Sequence, residues 1–224
     1  MTLQVAERAE SNSLLTQFKR TLVLGAHTDD EFACSGTIAR LCGLGSEVHY
    51  ATFSSCAESV PDGFDSDVLK REVLDAVDVL GIARDRFRLF DFPVRRFQEH
   101  RQEILETLVK LRSEIKPDLV LLPALADIHQ DHSTIAREGV RAFKHATILG
   151  YELPMNIISS DQTCLIELKP EHVEAKLAHA RCYRSQEHRP YFRPEFLRGL
   201  AAVRGLQMNV QYAEAFEVVR LCIH

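Results

Sequence analysis

Short apolar runs alternate with stretches of helical period along most of this chain, the pattern of a parallel sheet wrapped by helices. The strand-like runs are TLVLGA (21–26), EVHYATFS (47–54), RFRLFDF (86–92), DLVLLPA (118–124) and ILGYEL (148–153). Between two of them, SDVLKREVLDAVDVLGI gathers Val68, Leu69, Val73, Ala76, Val77 and Leu80 on one face, and Gly81 supplies a C-terminal stop. RQEILETLVKLRSEI repeats the design, with Ile104, Leu105, Leu108, Leu111 and Ile115 inward and Pro117 ending it. A third helix is predicted from Ser133 to about His145. The last third is less regular: an extended CLIELK, a helix around EHVEAKLAHARCY, a Pro-bounded segment near RPYFRPEF and a strand-like AFEVVRLCI. Mixed or antiparallel edge strands fit there. The expected class is therefore α/β with a mostly parallel sheet and a less regular C-terminal portion.

Length and composition bound the partners. At 224 residues and 46% hydrophobic content, one domain over 21–224 behind an N-terminal extension of residues 1–20 is the simplest organisation. A net charge of −5 provides no broad basic field, so nucleic acid is not expected as the main partner. The six cysteines are scattered singly, without a CxxC pair, which suits reduced thiols and a cytoplasmic location. The first twenty residues carry no apolar core of signal-peptide length, and no window offers ~18 uninterrupted apolar residues, so no membrane insertion is expected. Oligomeric state is not written in the sequence, and a homo-oligomer is compatible with it.

Two polar clusters follow two of the strands. His27, Asp29, Asp30 and Glu31 come directly after TLVLGA, and DIHQDH (127–132) follows DLVLLPA. Open α/β sheets bind ligands outside the carboxyl ends of their strands, so neighbouring strands would make these clusters face each other. Together they supply imidazoles and carboxylates suited to a divalent cation, which would offset the repulsion among three adjacent acids. His27 and Asp30 are three apart, as are His129 and His132, and Asp131 is placed to orient an imidazole. Glu31 is expected to brace the loop. The isolated histidines 49, 100, 145, 172, 179, 188 and 224 are read as surface or satisfied core residues.

These motifs carry a resemblance. AHTDDE is similar to the AHPDDE signature of the LmbE-like, or PIG-L, deacetylases, and HQDH is similar to their second signature, HPDH. REVLDAVDVLGI, KLAHARCYRSQ and QYAEAFEVVR resemble further family segments, so the likeness spans roughly 21–220. It implies a Rossmann-like three-layer sandwich and a zinc-dependent hydrolase of acetamides, commonly the N-acetyl group of an N-acetylglucosamine unit; Fe²⁺ or another divalent metal would also suit the ligands. Carried over, it assigns His27, Asp30 and His132 as metal ligands, Asp29 as general base, His129 as cationic acid or oxyanion stabiliser, and Asp131 as the partner orienting it. The chain departs from the pattern at Thr28 and Gln130, where prolines are usual. It also has Asp127 where several relatives carry an oxyanion-assisting tyrosine, and Leu69 where relatives often place an arginine that contacts the sugar. The turn-rich loop 54–67 is expected to help cover the sugar.

Three rivals share parts of this chemistry. A non-haem Fe(II) oxygenase also uses two histidines and a carboxylate, and His27-Thr28-Asp29 mimics its HxD element. A receiver domain places an acidic pair after its first strand. A non-catalytic sugar-binding relative would lack a working Asp29 and His129.

Overall fold

The computed structural model describes residues 13–159 and 161–223, so most of the expected 1–20 extension lies outside the described residues. Seven strands form one sheet: β1 Arg20–Gly25, β2 Glu47–Thr52, β3 Phe87–Leu89, β4 Leu119–Pro123, β5 Thr147–Tyr151, β6 Cys164–Leu168 and β7 Tyr212–Arg220. Their order is β3-β2-β1-β4-β5-β7-β6; the first five run parallel and the β5–β7 and β7–β6 pairs are antiparallel. Residues 22–25 of β1 and all of β4 are buried, as expected of strands covered on both faces. Among the described residues six helices cover the sheet: α1 Ser35–Gly43, α2 Val68–Val79, α3 Arg101–Ile115, α4 Gln130–Ala142, α5 Pro170–Ala180 and α6 Pro194–Leu206. One apolar cluster joins α1, α2, α5 and α6 to one face through Ile38, Val73, Leu177 and Leu197; another joins α3 and α4 to the opposite face through Ile104, Leu108 and Ile135. The result is the expected three-layer α/β sandwich.

Helix ends follow local chemistry. Gly81 adopts φ 80° and Ile82 donates back to the Val77 carbonyl at 3.0 Å, closing α2. Lys116 takes φ 51° after α3, immediately before Pro117. Sequence periodicity misplaced other boundaries. RFRLFDF forms a ladder only over Phe87–Leu89, after which Phe90 and Phe92 still donate to Thr52 and Phe53 carbonyls at 2.9 Å each. The third predicted helix begins at Gln130 rather than Ser133, because the His129 ring caps it. Helices α1 and α6 were not predicted: SGTIARLCG carries two glycines, and α6 starts at a proline.

The sheet order places the β1–β4 pair where the chain's direction of progress reverses, with β2 on one side and β5 on the other. Thr21 pairs with Leu119 and Val23 with Leu121, so both strands end at the same edge. The two polar clusters are thereby brought together. A receiver would instead show the order 2-1-3-4-5.

The loop after β1 is held from the C-terminal third. Lys176 on α5 donates to the carbonyls of Phe32 and, at 3.1 Å, Ala33, and pairs with Glu214 of β7 at 2.8 Å. Glu214 in turn accepts the N–H groups of Gly36 at 3.1 Å and Thr37 at 2.7 Å, a carboxylate at the start of α1 where orphan donors and the helix dipole favour it. A Cβ at Gly36 would meet the Leu168 side chain at 2.5 Å and Glu214 Oε1 at 3.0 Å, so a larger residue would force both to shift. Both members of the ion pair are buried. Lys176→Met is expected to destabilise the fold by about 3–5 kcal/mol by stranding the Glu214 charge, read as a lower urea midpoint at unchanged slope.

Candidate metal centre and active-site pocket

The three adjacent acids of HTDDE point in three directions. Glu31 is fully buried and turns into the core, where it accepts from Tyr50 (2.9 Å), from His179 Nε2 (2.9 Å) and from the Tyr183 hydroxyl. Burial, then Glu31, pushes both phenols well above their ordinary value, so they stay protonated and donate. Tyr183 also lies 2.6 Å from the Thr28 carbonyl and Tyr50 3.1 Å from that of His27, which fixes the loop backbone. Glu31 thus braces the loop as expected, and His179 is a core residue bonded through Nε2 alone, its buried Nδ1 having no hydrogen-bond partner among the described residues.

Asp30 turns toward the imidazoles. Its Oδ2 accepts the His27 backbone N–H at 2.9 Å, while Oδ1 lies 3.5 Å from His27 Nδ1 and 3.3 Å from His132 Nε2. Those two ring nitrogens are 3.1 Å apart. Bonds of ~2.0–2.1 Å to a tetrahedral cation require ligand–ligand edges of about 3.3 Å, so the triangle has the size of a metal's protein face. The tautomers agree. His132 Nδ1 donates to Asp127 at 2.7 Å and His27 Nε2 donates to Asp131 at 3.1 Å, leaving the lone pairs of the other nitrogens facing one another. By reach alone, His27, His129 and His132 also form a group whose ligand atoms lie within 4.8 Å of one another. The set with Asp30 matches a coordination edge more closely and adds an anion. Either grouping suits a divalent metal.

Burial disfavours charge on both imidazoles, but Asp30 and the carboxylates behind them outweigh it, raising His27 to about 9 and His132 to about 10. Burial likewise lifts the Asp30 carboxyl, yet His132 and His27 hold it well below the usual carboxylate range. The metal-free centre therefore holds at least one proton between the facing nitrogens.

His129 caps α4: its Nδ1 accepts the Asp131 backbone N–H at 3.2 Å. The proton of a neutral ring consequently sits on Nε2. Burial first, then the neighbouring His132 and His27, lowers this imidazole to about 4, so it is neutral at ordinary pH. The resemblance implied a cationic His129, whereas these surroundings favour the neutral ring. The expected pairing with Asp131 also differs: that carboxylate goes to His27 and accepts the backbone N–H groups of Arg95 (2.6 Å) and Phe97 (3.3 Å), because the ring of His129 is engaged by the helix backbone. Asp29 stands apart, with no hydrogen-bond partner for its carboxylate among the described residues. Burial, then Asp30, raises it to about 6.

These groups line a cavity of about 300 Å³ that also includes Cys56, Ser59, Leu69, Arg95, Asn156, Gln186, Arg189 and Tyr191. The loop 54–67 thus supplies part of the wall, and Leu69 occupies it where an arginine was considered. Sequence reasoning undervalued Asp127, noted only as standing where several relatives carry a tyrosine. It is buried, orients His132 and accepts the His129 N–H at 2.8 Å, and its spacing five residues before His132 was the available signal. Asn156, Gln186, Arg189 and Tyr191 arrive from distant loops and left no local pattern. The carboxylate meeting the imidazoles is Asp30 rather than Asp29, so the HxD element of an iron oxygenase is not formed.

A mostly parallel sheet with a mixed imidazole–carboxylate centre at its switch point defines an α/β protein with a candidate divalent-metal site. Residues 22–143, more than half the chain, match the family described as PIG-L, GlcNAc-PI de-N-acetylase, and the chain belongs to that family. No curated protein matches the sequence. Among solved structures, N,N'-diacetylchitobiose deacetylase from Pyrococcus horikoshii in complex with its inhibitor MPG aligns with TM-score 0.76 at 19% identity, over 96% of this chain and 90% of that one. The zinc-inhibited form of teicoplanin deacetylase Orf2 aligns with TM-score 0.71 at 18% identity, over 88% and 96%. GalB, the 4-carboxy-2-hydroxymuconate hydratase of Pseudomonas putida KT2440, aligns with TM-score 0.72 at 18% identity, over 92% and 98%. A fold shared with a hydratase does not by itself fix the reaction.

Asp127→Asn and Asp131→Asn are each expected to weaken zinc binding about 10–100-fold, measured by competition with a chromophoric chelator, because each frees an imidazole from its tautomer. Zinc uptake at pH 7 should release at least one proton, with affinity rising as pH approaches the raised His27 and His132 values; calorimetry in buffers of different ionisation enthalpy reads the count.

Proposed function

We propose that this protein is a zinc-dependent N-deacetylase that hydrolyses the acetamide of an N-acetylglucosamine-type sugar or its conjugate. The observation that carries the reading is an unpartnered Asp29 carboxylate beside a donor triangle of metal-coordination size, in a chain of the de-N-acetylase family. Likeness to proteins named as deacetylases of diacetylchitobiose and teicoplanin supports the same substrate class. His27, Asp30 and His132 would hold the cation; three protein ligands leave room for a further oxygen ligand, as catalytic sites do. A bound divalent cation supplies Lewis-acid polarisation of the amide carbonyl and brings the pKa of water toward ~7.

The chain's own groups account for the proton movements. Asp29, ionised and free of competing hydrogen bonds, takes a proton from the attacking water as its oxygen bonds to the acetyl carbon. The same carboxyl returns that proton to the sugar nitrogen as the C–N bond breaks, giving acetate and a free amine. His129, neutral with its proton on Nε2, donates a hydrogen bond to the oxygen on which negative charge develops, and its helix-cap bond holds the ring ready beforehand. This donor supplies what the tyrosine of several relatives was expected to give. Asp131 and Asp127 act one step back, orienting His27 and His132.

Acetate release by metal-loaded protein from N-acetylglucosamine and its conjugates, with the free amine detected by mass, tests the reading; no release from any of them would overturn it. Asp29→Asn is expected to lower the rate by about 10²–10⁴-fold while retaining zinc, and His129→Ala by about 10²–10³-fold. The base must be ionised, so kcat/KM should fall as pH drops through the Asp29 value, about 6 before the cation binds and lower with it.

A further inference from the structure

Asn156 lines the cavity beside the groups that support the metal ligands, and the proposed proton transfers make no use of it. It ends a short 3-10 turn, Pro154–Asn156, that follows β5. The backbone there is tied on both sides: its N–H donates to the Leu153 carbonyl at 2.9 Å, and its carbonyl accepts the Ile128 N–H at 3.1 Å. A single antiparallel bridge between Asp127 and Ile157 closes the same junction. The loops after β4 and β5 are thereby zipped together, which holds the side chain of Asn156 against Asp127.

The orientation of its amide follows from its neighbours. Nδ2 lies 3.3 Å from Asp127 Oδ2 and 3.4 Å from His132 Nδ1. The imidazole proton is already committed to the same carboxylate at 2.7 Å, and a reversed amide would set its oxygen against a carboxylate oxygen. The NH2 end therefore faces Asp127, and Oδ1 points away from it. That oxygen has no donor among the described residues, yet it is not one of the buried orphaned atoms, so it is open on the side where Asn156 lines the cavity. A fixed, unpaired acceptor favours ligands that bring a donor to it, because a ligand that displaces its water without one leaves the oxygen unsatisfied. Only Asp127 and the His132 ring separate this acceptor from the cation face.

On an N-acetylglucosamine glycoside the donors nearest the reacting carbonyl are the amide N–H and the hydroxyl on carbon 3; the oxygen on carbon 1 has no hydrogen to give. We infer that Asn156 is a specificity-determining residue whose Oδ1 accepts one of these two hydrogens. The inference rests on the deacetylase reading for the ligand and on the amide locked by Asp127 for the acceptor.

The test compares four ligands by calorimetry on zinc-loaded protein in an Asp29→Asn background: the methyl glycoside of N-acetylglucosamine, its 3-deoxy form, its 6-deoxy form, and the acetate ester in which oxygen replaces the amide nitrogen. Asn156→Ala is expected to weaken the parent glycoside and the 6-deoxy form about fivefold to tenfold each. One of the other two, already lacking the donor, should bind both proteins alike and so names the hydrogen. Asn156→Ser, which keeps a polar side chain at the loop junction, should repeat the pattern. A role exerted only through Asp127 and His132 would weaken all four ligands alike and lower zinc affinity as well; that result, or an unchanged affinity for the parent glycoside, overturns the inference. The expected pattern with no acetate released by the unsubstituted protein would end the deacetylase reading and leave the acceptor standing. Acetate release with all four ligands weakened alike, or none, would do the reverse.

Discussion

Three consecutive carboxylates at the end of a buried strand cannot share one environment, and the structure is arranged around giving each its own. Asp30 meets two imidazoles, Glu31 meets two phenols and a histidine, and Asp29 faces the cavity with no hydrogen-bond partner for its carboxylate among the described residues. The 3-10 turn at Asp30–Cys34 makes this possible, because tight winding fans successive side chains around its axis. Burial then raises Asp29 while opposite charges lower Asp30, so neighbours of identical chemistry differ in proton affinity. Surroundings alone thus give adjacent aspartates the different characters that the proposed base and the proposed metal ligand require.

The surroundings come from far away in sequence, which explains what could and could not be read beforehand. Strands β1 and β4 were legible because both faces are covered and their runs are uniformly apolar; the polar clusters stood out against them. Histidines and aspartates grouped within six residues of a strand end, such as His27 with Asp30 or His129 with His132, carry a local spacing. Helix α1 did not declare itself: its start is stabilised by Glu214, a residue nearly 180 positions later, rather than by a cap of its own. The partner of Asp131 was misjudged for a similar reason. Adjacency in sequence suggested His129, whereas the helix start takes that ring's nitrogen for its backbone and leaves the carboxylate to His27 across the sheet switch point. Arg95 and Arg189 are nearly a hundred residues apart and share no motif; only the folded chain brings both to one cavity.

His129 shows how one residue joins fold to chemistry. One nitrogen closes a helix terminus and the other lines the cavity, so the ring cannot turn without leaving a helix N–H unsatisfied. Low proton affinity follows from burial beside two other imidazoles. In the proposed reaction the group would act as a fixed neutral dipole set before any ligand arrives, the form of preorganisation that costs least.

The stretch matching the family, 22–143, contains every side chain assigned to the metal and to the proton transfers. It does not contain what keeps them in place. Tyr183, His179, Lys176 and Glu214, all later in the chain, clamp the turn that presents Asp29 and Asp30. An excised fragment ending near residue 143 would therefore retain the chemistry's parts list without its scaffold, and the antiparallel β6–β7 pair is best understood as an internal brace rather than an ornament on a smaller nucleotide-binding-like core.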